Sequence, residues 1–192
     1  MQEYSEDRKE EYSYVLDFMF TGKSSSTRTE PLAQLIGASW FTLLEATTKP
    51  DAALTIGEKV YIGQGERDKI SLIKSRITYN ELTQTAKGNM PAIITRMIKE
   101  DEKRFVNVFN TAGAVNIRQH SLELLPGVGK KHLNAILKER SAKPFESFDD
   151  ITNRIPLLQD PVKLIEERII EELQGEQRFY LFVKPYFHKR QF

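Results

Sequence analysis

Apolar and polar residues alternate at period two near the start of the chain. Tyr14–Phe20 places Tyr14, Leu16, Phe18 and Phe20 on one face, which predicts a strand ending at Gly22. The polar stretch Gly22–Glu30, closed by Pro31, reads as a loop. Leu32–Ala46 is apolar and rich in strand formers, with Gly37 inside it, where a bulge or sharp bend is expected. Lys49-Pro50-Asp51 marks a turn. Lys59–Ile62 and Ile70–Tyr79 then read as strands on either side of the turn Gly63–Asp68. Beyond Tyr79 the period becomes helical. Asn80 is a candidate cap for a short helix, Glu81–Lys87, ended by Gly88. Pro91 then opens a helix that carries Ile94, Met97, Ile98, Phe105 and Phe109 at helical spacing and stops before Gly113.

About five strands in close succession, one of them long and broken by a glycine, suit a small, strongly bent barrel. The OB-fold is the commonest such barrel, and an SH3-like barrel or an open sheet gives a similar pattern. The composition shift and glycine within 80–89 place a boundary there.

Composition narrows the classes. The chain has 192 residues, 40% of them hydrophobic, as suits a folded protein, and no cysteine. A disulfide scaffold, a thiol nucleophile and a thiolate zinc site are therefore excluded. No apolar run approaches the ~20 residues that span a bilayer, and no stretch has the order of a secretory signal. A cytoplasmic location with no membrane partner is the resulting expectation. Lys+Arg number 28 against 27 Asp+Glu, a net of +1. That total conceals a division. Residues 59–104 and 178–192 each carry a net +4, whereas 1–12 carry −3 and 155–177 carry −4. A ligand meets the local field and not the sum.

The segment with chemical content is Leu125-Pro126-Gly127-Val128-Gly129-Lys130-Lys131, with Leu122, Leu133, Ala135, Ile136 and Leu137 in helical register around it. Glycine takes the backbone conformations of so tight a connection without Cβ penalty. Val128 anchors the turn inward. N–H groups at the start of the following helix face outward, where the helix dipole stabilises an anion. Gly127 and Gly129 allow close approach, and Lys130 and Lys131 place cations beside it. Such a clamp holds a nucleic-acid backbone without reading sequence. The residues resemble the helix-hairpin-helix motif, and Phe145-Glu146-Ser147-Phe148-Asp149-Asp150-Ile151 matches the stretch that succeeds the motif in tandem domains. A second, eroded copy is expected: Phe148–Arg154 as its first helix, Ile155–Asp160 as its hairpin with Pro156 in the place of Pro126, and Pro161–Leu173 as its second helix. It lacks both glycines and reads as a structural partner. The two hairpins are expected to pack as a four-helix unit.

The expected fold class is thus α+β: a small OB-like β-barrel over residues 1–85, then an all-α tandem helix-hairpin-helix domain over 86–192, with the motif at 117–173 and a C-terminal strand and tail. The helix-hairpin-helix resemblance further implies a monovalent cation, K+ or Na+, on the backbone carbonyls of Glu123, Leu125 and Val128. Over Tyr12–Lys184 the chain resembles a family of uncharacterised archaeal proteins predicted to bind RNA, for which no catalysis is implied.

Other candidates are weaker. Lys23 and Arg28 in the first loop, and Lys74 and Arg76 with Thr78 on one expected face of the last strand, offer cations along a nucleic-acid groove, or an ordinary solvated surface. Trp40 reads as core, with Phe41 and Tyr61 as alternative stacking rings. Arg178–Val183 reads as a strand or docking segment, and the aromatic, basic Tyr186–Phe192 as a nucleic-acid or ribosome contact or a docked tail. His120, His132 and His188 have no metal-ligand spacing, and no phosphate-binding or nucleophile motif occurs. Asp149 and Asp150 lie where helix-hairpin-helix glycosylases keep a catalytic aspartate, but the all-helical body for base flipping is missing. The expectation is a non-catalytic nucleic-acid-binding protein, RNA favoured over DNA, with the ribosome or ribosomal RNA as a candidate partner. The alternative is a protein-interaction adaptor of a ribosome-associated or DNA-repair complex.

Overall fold

The computed structural model describes residues 9–20 and 30–185. Lys23, Arg28 and Tyr186–Phe192 lie outside the described residues. The chain divides into two compact units, one reaching Ile93 and the other running from Ile94 to Pro185. The architecture is α+β, strands first and helices after.

The first unit is built on a five-stranded antiparallel sheet in the order β4-β1-β2-β3-β5. Its strands are β1 (Tyr12–Met19), β2 (Leu32–Gly37), β3 (Leu43–Thr48), β4 (Lys59–Tyr61) and β5 (Ile70–Arg76). No ladder joins β4 to β5 among the described residues, so the sheet is a half-barrel. Val15, Ala33, Leu35, Leu44, Ala46, Val60 and Ile70 form the core of one face.

Register shifts in β1 and β5 rearrange the expected faces. In β1, Val15 pairs with Leu35 but Asp17 with Gln34, which leaves Leu16 as an extra residue. A bulge moves every later side chain by one position. Phe18 therefore packs on the core of Val15 rather than lining up with Tyr14 and Leu16. In β5, Ile73 pairs with Ala46 and Ser75 with Glu45, so Lys74 is the extra residue. Arg76 then sits opposite Leu44 and shares a face with Ile73. The alternation expected for Lys74, Arg76 and Thr78 does not hold.

The bend expected at Gly37 has a specific cause. The buried carboxylate of Glu10 accepts N–H groups from Ser39 at 2.8 Å, Trp40 at 2.9 Å and Thr42 at 3.3 Å. A Cβ on Gly37 would stand 2.1 Å from Glu10 Oε1, so only glycine leaves room for this arrangement. Trp40 is half-buried, and the ring taken wholly into the core is Phe41.

The helix α1 (Gln84–Glu100) starts later than the sequence pattern indicates. Thr83 and not Asn80 caps it: its hydroxyl accepts the Ala86 N–H at 3.0 Å and donates to Asp17 at 2.6 Å. Gln34 accepts the Thr83 N–H at 2.8 Å, and the Asn89 amide donates to the Leu16 carbonyl at 3.0 Å. The helix runs through both Gly88 and Pro91, because Ala86, Met90, Ile93, Ile94, Met97 and Ile98 form one buried stripe that outweighs local propensity. Gly88 is exposed, and a Cβ there would meet nothing within 4 Å. Gly88→Ala is therefore expected to stabilise the protein by about 0.5–1 kcal/mol, read as a higher midpoint in urea denaturation.

The second unit contains the rest of α1, then α2 (Glu102–Thr111), a ribbon of β6 (Ala114–Asn116) and β7 (Gln119–His120), a 3₁₀ turn Ser121–Leu124, α3 (Lys130–Ala142), α4 (Phe148–Arg154) and α5 (Pro161–Gln174). The helices α4 and α5 fall on the arms expected for the second hairpin. The first hairpin differs, since its leading arm is a single 3₁₀ turn. The ribbon consumes the preceding residues, and Leu125 is extended (φ −72°, ψ 130°) as a residue before proline tends to be. Two full helical hairpins packed as four helices are therefore not what forms.

The segment after α5 is docked but is not a strand. The carboxylate of Glu172 accepts N–H groups from Leu181 at 2.6 Å, Phe182 at 2.9 Å and Val183 at 2.9 Å, and the Arg168 guanidinium at 2.8 Å. Arg168 also binds the Phe179 carbonyl. The Phe182 ring lies 5.8 Å from that of Phe105.

Candidate nucleic-acid interface

Five of the sequence-derived candidates come together in the turn before α3 and at the head of that helix. Gly127 has φ +77°, a left-handed conformation that favours glycine. Val128 is buried and anchors the turn. Gly129 is the N-cap of α3, in extended backbone (φ −90°, ψ −178°) and with no side-chain cap. The first intrahelical bond runs from the Leu133 N–H to the Gly129 carbonyl at 2.9 Å. The N–H groups of Lys130, Lys131 and His132 therefore have no carbonyl one turn behind them. A Cβ at Gly129 would meet nothing within 4 Å, so the cap position itself is open.

The helices α4 and α5 are finished differently. Ser147 Oγ accepts the Asp150 N–H at 3.0 Å at the start of α4, and Asp160 Oδ1 accepts the Val162 N–H at 2.9 Å at the start of α5. A carboxylate thus already occupies the anion position of the second hairpin. Leu158 is buried there as Val128 is in the first, and Leu157 stands where Gly127 would. Gln159 of the second hairpin stands beside the first, with its Oε1 3.8 Å from where a Cβ on Gly127 would be.

Lys130 and Lys131 are both exposed at the head of α3. Lys130 is engaged, with its ammonium 2.8 Å from Glu123 Oε1. Glu123 also accepts the His120 N–H at 2.9 Å. The hydrogen bond from Lys130, and after it that from His120, hold the Glu123 carboxyl below its usual range. Burial, and then the charge of Arg140, push His120 below its usual range. Lys130 thus reaches a ligand only in competition with Glu123, and Lys131 carries the adjacent cation.

His132 joins this site although the sequence pattern does not place it there. Its Nδ1 lies 3.0 Å from the Gly127 carbonyl, a hydrogen bond in the tautomer with the proton on Nδ1. The ring braces the glycine turn from the first turn of α3. Nothing in the spacing of the histidines signals this, because the contact needs the left-handed turn at Gly127.

Glu123 lies in the 3₁₀ turn, and Leu125 and Val128 lie in the loop that follows it. The Leu125 carbonyl accepts the Val128 N–H at 3.1 Å and keeps a second lone pair. Such neutral carbonyl donors suit the chemistry of a monovalent cation. No cluster of three or more His, Asp or Glu suited to a metal ion occurs among the described residues. Lys74 is exposed and Arg76 half-buried, and both belong to the first unit. Asp150 pairs with Arg154 at 3.2 Å and accepts the Glu146 N–H at 3.1 Å. No helix among the described residues is long and apolar enough to cross a membrane.

The family model described as "Protein of unknown function (DUF655)" matches residues 9–184. The chain is 41% identical over 177 residues to the uncharacterized protein MJ0038 of Methanocaldococcus jannaschii, covering 91% of this chain and 80% of that protein. It is similar to the crystal structure of Af1531 from Archaeoglobus fulgidus, with a TM-score of 0.86 and 46% identity over 91% of this chain and 100% of that one.

Proposed function

We propose that this chain, which belongs to the DUF655 family, is a non-catalytic protein that grips the phosphate backbone of nucleic acid through the turn at Gly127–Gly129 and the head of α3. The observation that carries this reading is the glycine cap. The starts of α1, α4 and α5 are closed by Thr83, Ser147 and Asp160, and α2 begins on Asp101, a carboxylate that makes no cap bond, whereas α3 begins on a glycine with open space at the cap position. Unpaired N–H groups at the positive end of a helix stabilise a phosphate, and Lys131 adds a cation. Resemblance to the helix-hairpin-helix motif supports the same ligand. RNA stands before DNA because the chain joins the turn to a β half-barrel. The engagement of Asp150 with Arg154 and the Glu146 N–H supports a structural role for that carboxylate.

A salt-titrated binding assay with single-stranded RNA, duplex RNA and DNA tests the proposal. Binding is expected at about 50 mM salt and falls linearly on a log–log plot as salt rises. Replacing Lys130 and Lys131 together by glutamate is expected to weaken it at least tenfold and to flatten the slope by up to about two phosphate contacts. No binding to any of the three at low salt would overturn the proposal in favour of a protein adaptor.

A further inference from the structure

Ile117 is the most exposed large apolar side chain among the described residues, at 105%. It forms, with Arg118, the two-residue loop of the β6–β7 ribbon, where Ala114 pairs with His120 and Asn116 with Gln119. Asn116 Oδ1 accepts the Arg118 N–H at 2.8 Å, so the turn has its own polar lock. Two-residue hairpin loops favour Asn, Asp and Gly. A β-branched isoleucine adds nothing to the turn and covers no core.

The ribbon beneath this tip is braced. The Ser121 N–H and hydroxyl both donate to the Gly113 carbonyl, at 2.9 and 2.6 Å. Arg140 donates to the carbonyls of Phe109 at 3.0 Å and Ala112 at 2.9 Å, at the end of α2. The Glu123 carboxylate accepts both the His120 N–H and the Lys130 ammonium. The end of the ribbon is thereby tied to the first residue of α3. Across Thr111–Leu122 the chain has Arg118 and no Asp or Glu, which suits an anionic polymer.

We infer that Ile117 is a wedge that inserts against a nucleobase at an unpaired or poorly stacked step, while Arg118 pairs with the phosphate beside it. Apolar side chains inserted between base steps are a recurrent device of nucleic-acid-binding proteins. The inference rests on the nucleic-acid reading above, and it makes Glu123 a positioning residue that sets the tip against the α3 site.

The test is fluorescence titration of a short RNA hairpin that carries 2-aminopurine beside its loop. Wild-type protein is expected to raise the fluorescence as the base unstacks. Ile117→Ala is expected to abolish the rise and to weaken binding roughly fivefold, with the salt slope and thermal midpoint unchanged, since no charge or core contact is lost. Arg118→Ala is expected to keep the rise and lower the slope by about one. If Ile117→Ala binds and unstacks like wild type, the wedge is overturned while the backbone grip stands. If it instead lowers the thermal midpoint, the tip is structural and the wedge is again overturned. If wild-type protein binds no nucleic acid, both readings fall.

Discussion

Glu172→Ala is expected to destabilise the helical unit by about 3–5 kcal/mol, the cost of leaving one partner of a buried ion pair uncompensated. The side chain of Glu172 is 0% exposed and that of Arg168 6%. The carboxylate satisfies the three consecutive N–H groups of Leu181, Phe182 and Val183 as well as Arg168. Its removal leaves three N–H donors without their acceptor and takes from Arg168 its shortest carboxylate contact, with Glu171 remaining at 3.5 Å, and it loosens the hold on Phe182. Glu172→Gln keeps one acceptor oxygen and is expected to recover part of the loss. Ellipticity at 222 nm during urea denaturation follows the helices, while the single tryptophan, Trp40, reports the first unit. A loss below about 1 kcal/mol would show that the C-terminal segment is held by its apolar contacts alone.

Gly129→Asp is expected to separate binding from stability. The backbone at Gly129 is one that any residue adopts, and a Cβ meets no neighbour. An aspartate there would cap α3 as Asp160 caps α5, a gain of a few tenths of a kcal/mol. The same carboxylate would fill the anion position and repel a phosphate. Nucleic-acid affinity is expected to fall by about 2 kcal/mol, roughly thirtyfold, with the thermal midpoint held or raised. Gly129→Ser, which caps without charge, is expected to fall between. Unchanged affinity in the aspartate variant would place the binding surface elsewhere.

The sequence was most legible where period and punctuation agree. The eroded-hairpin pattern, with Pro156 in the place of Pro126, predicts α4, α5 and their connection, and the structure adds the caps Ser147 and Asp160. The glycine turn is equally plain, because Gly127 needs a left-handed backbone that few residues tolerate. Faces of strands were less legible. The bulges at Leu16 and Lys74 insert one residue each, and nothing in the local pattern distinguishes a bulge from regular alternation. Gly88 and Pro91 misplace the helix breaks for a related reason: burial of a long stripe decides the matter, and burial is a tertiary property. Within the candidate site, the residue types point to the turn, but the pairing of Lys130 with Glu123 and the brace from His132 are set by how the ribbon returns to α3.

The protein also carries two internal replicas of the chemistry proposed for its ligand site. Glu10 and Glu172 are each an anion held by backbone N–H groups, and each is delivered by the chain itself. Tethering gives such a carboxylate a high effective concentration, so its nest stays filled. A free phosphate at α3 has no tether and must supply its own loss of translational freedom. A single phosphate ion would therefore bind weakly to a nest of the same kind. A polymer that reaches Lys131, the α3 donors and the ribbon tip at once regains the advantage, because each contact made tethers the next.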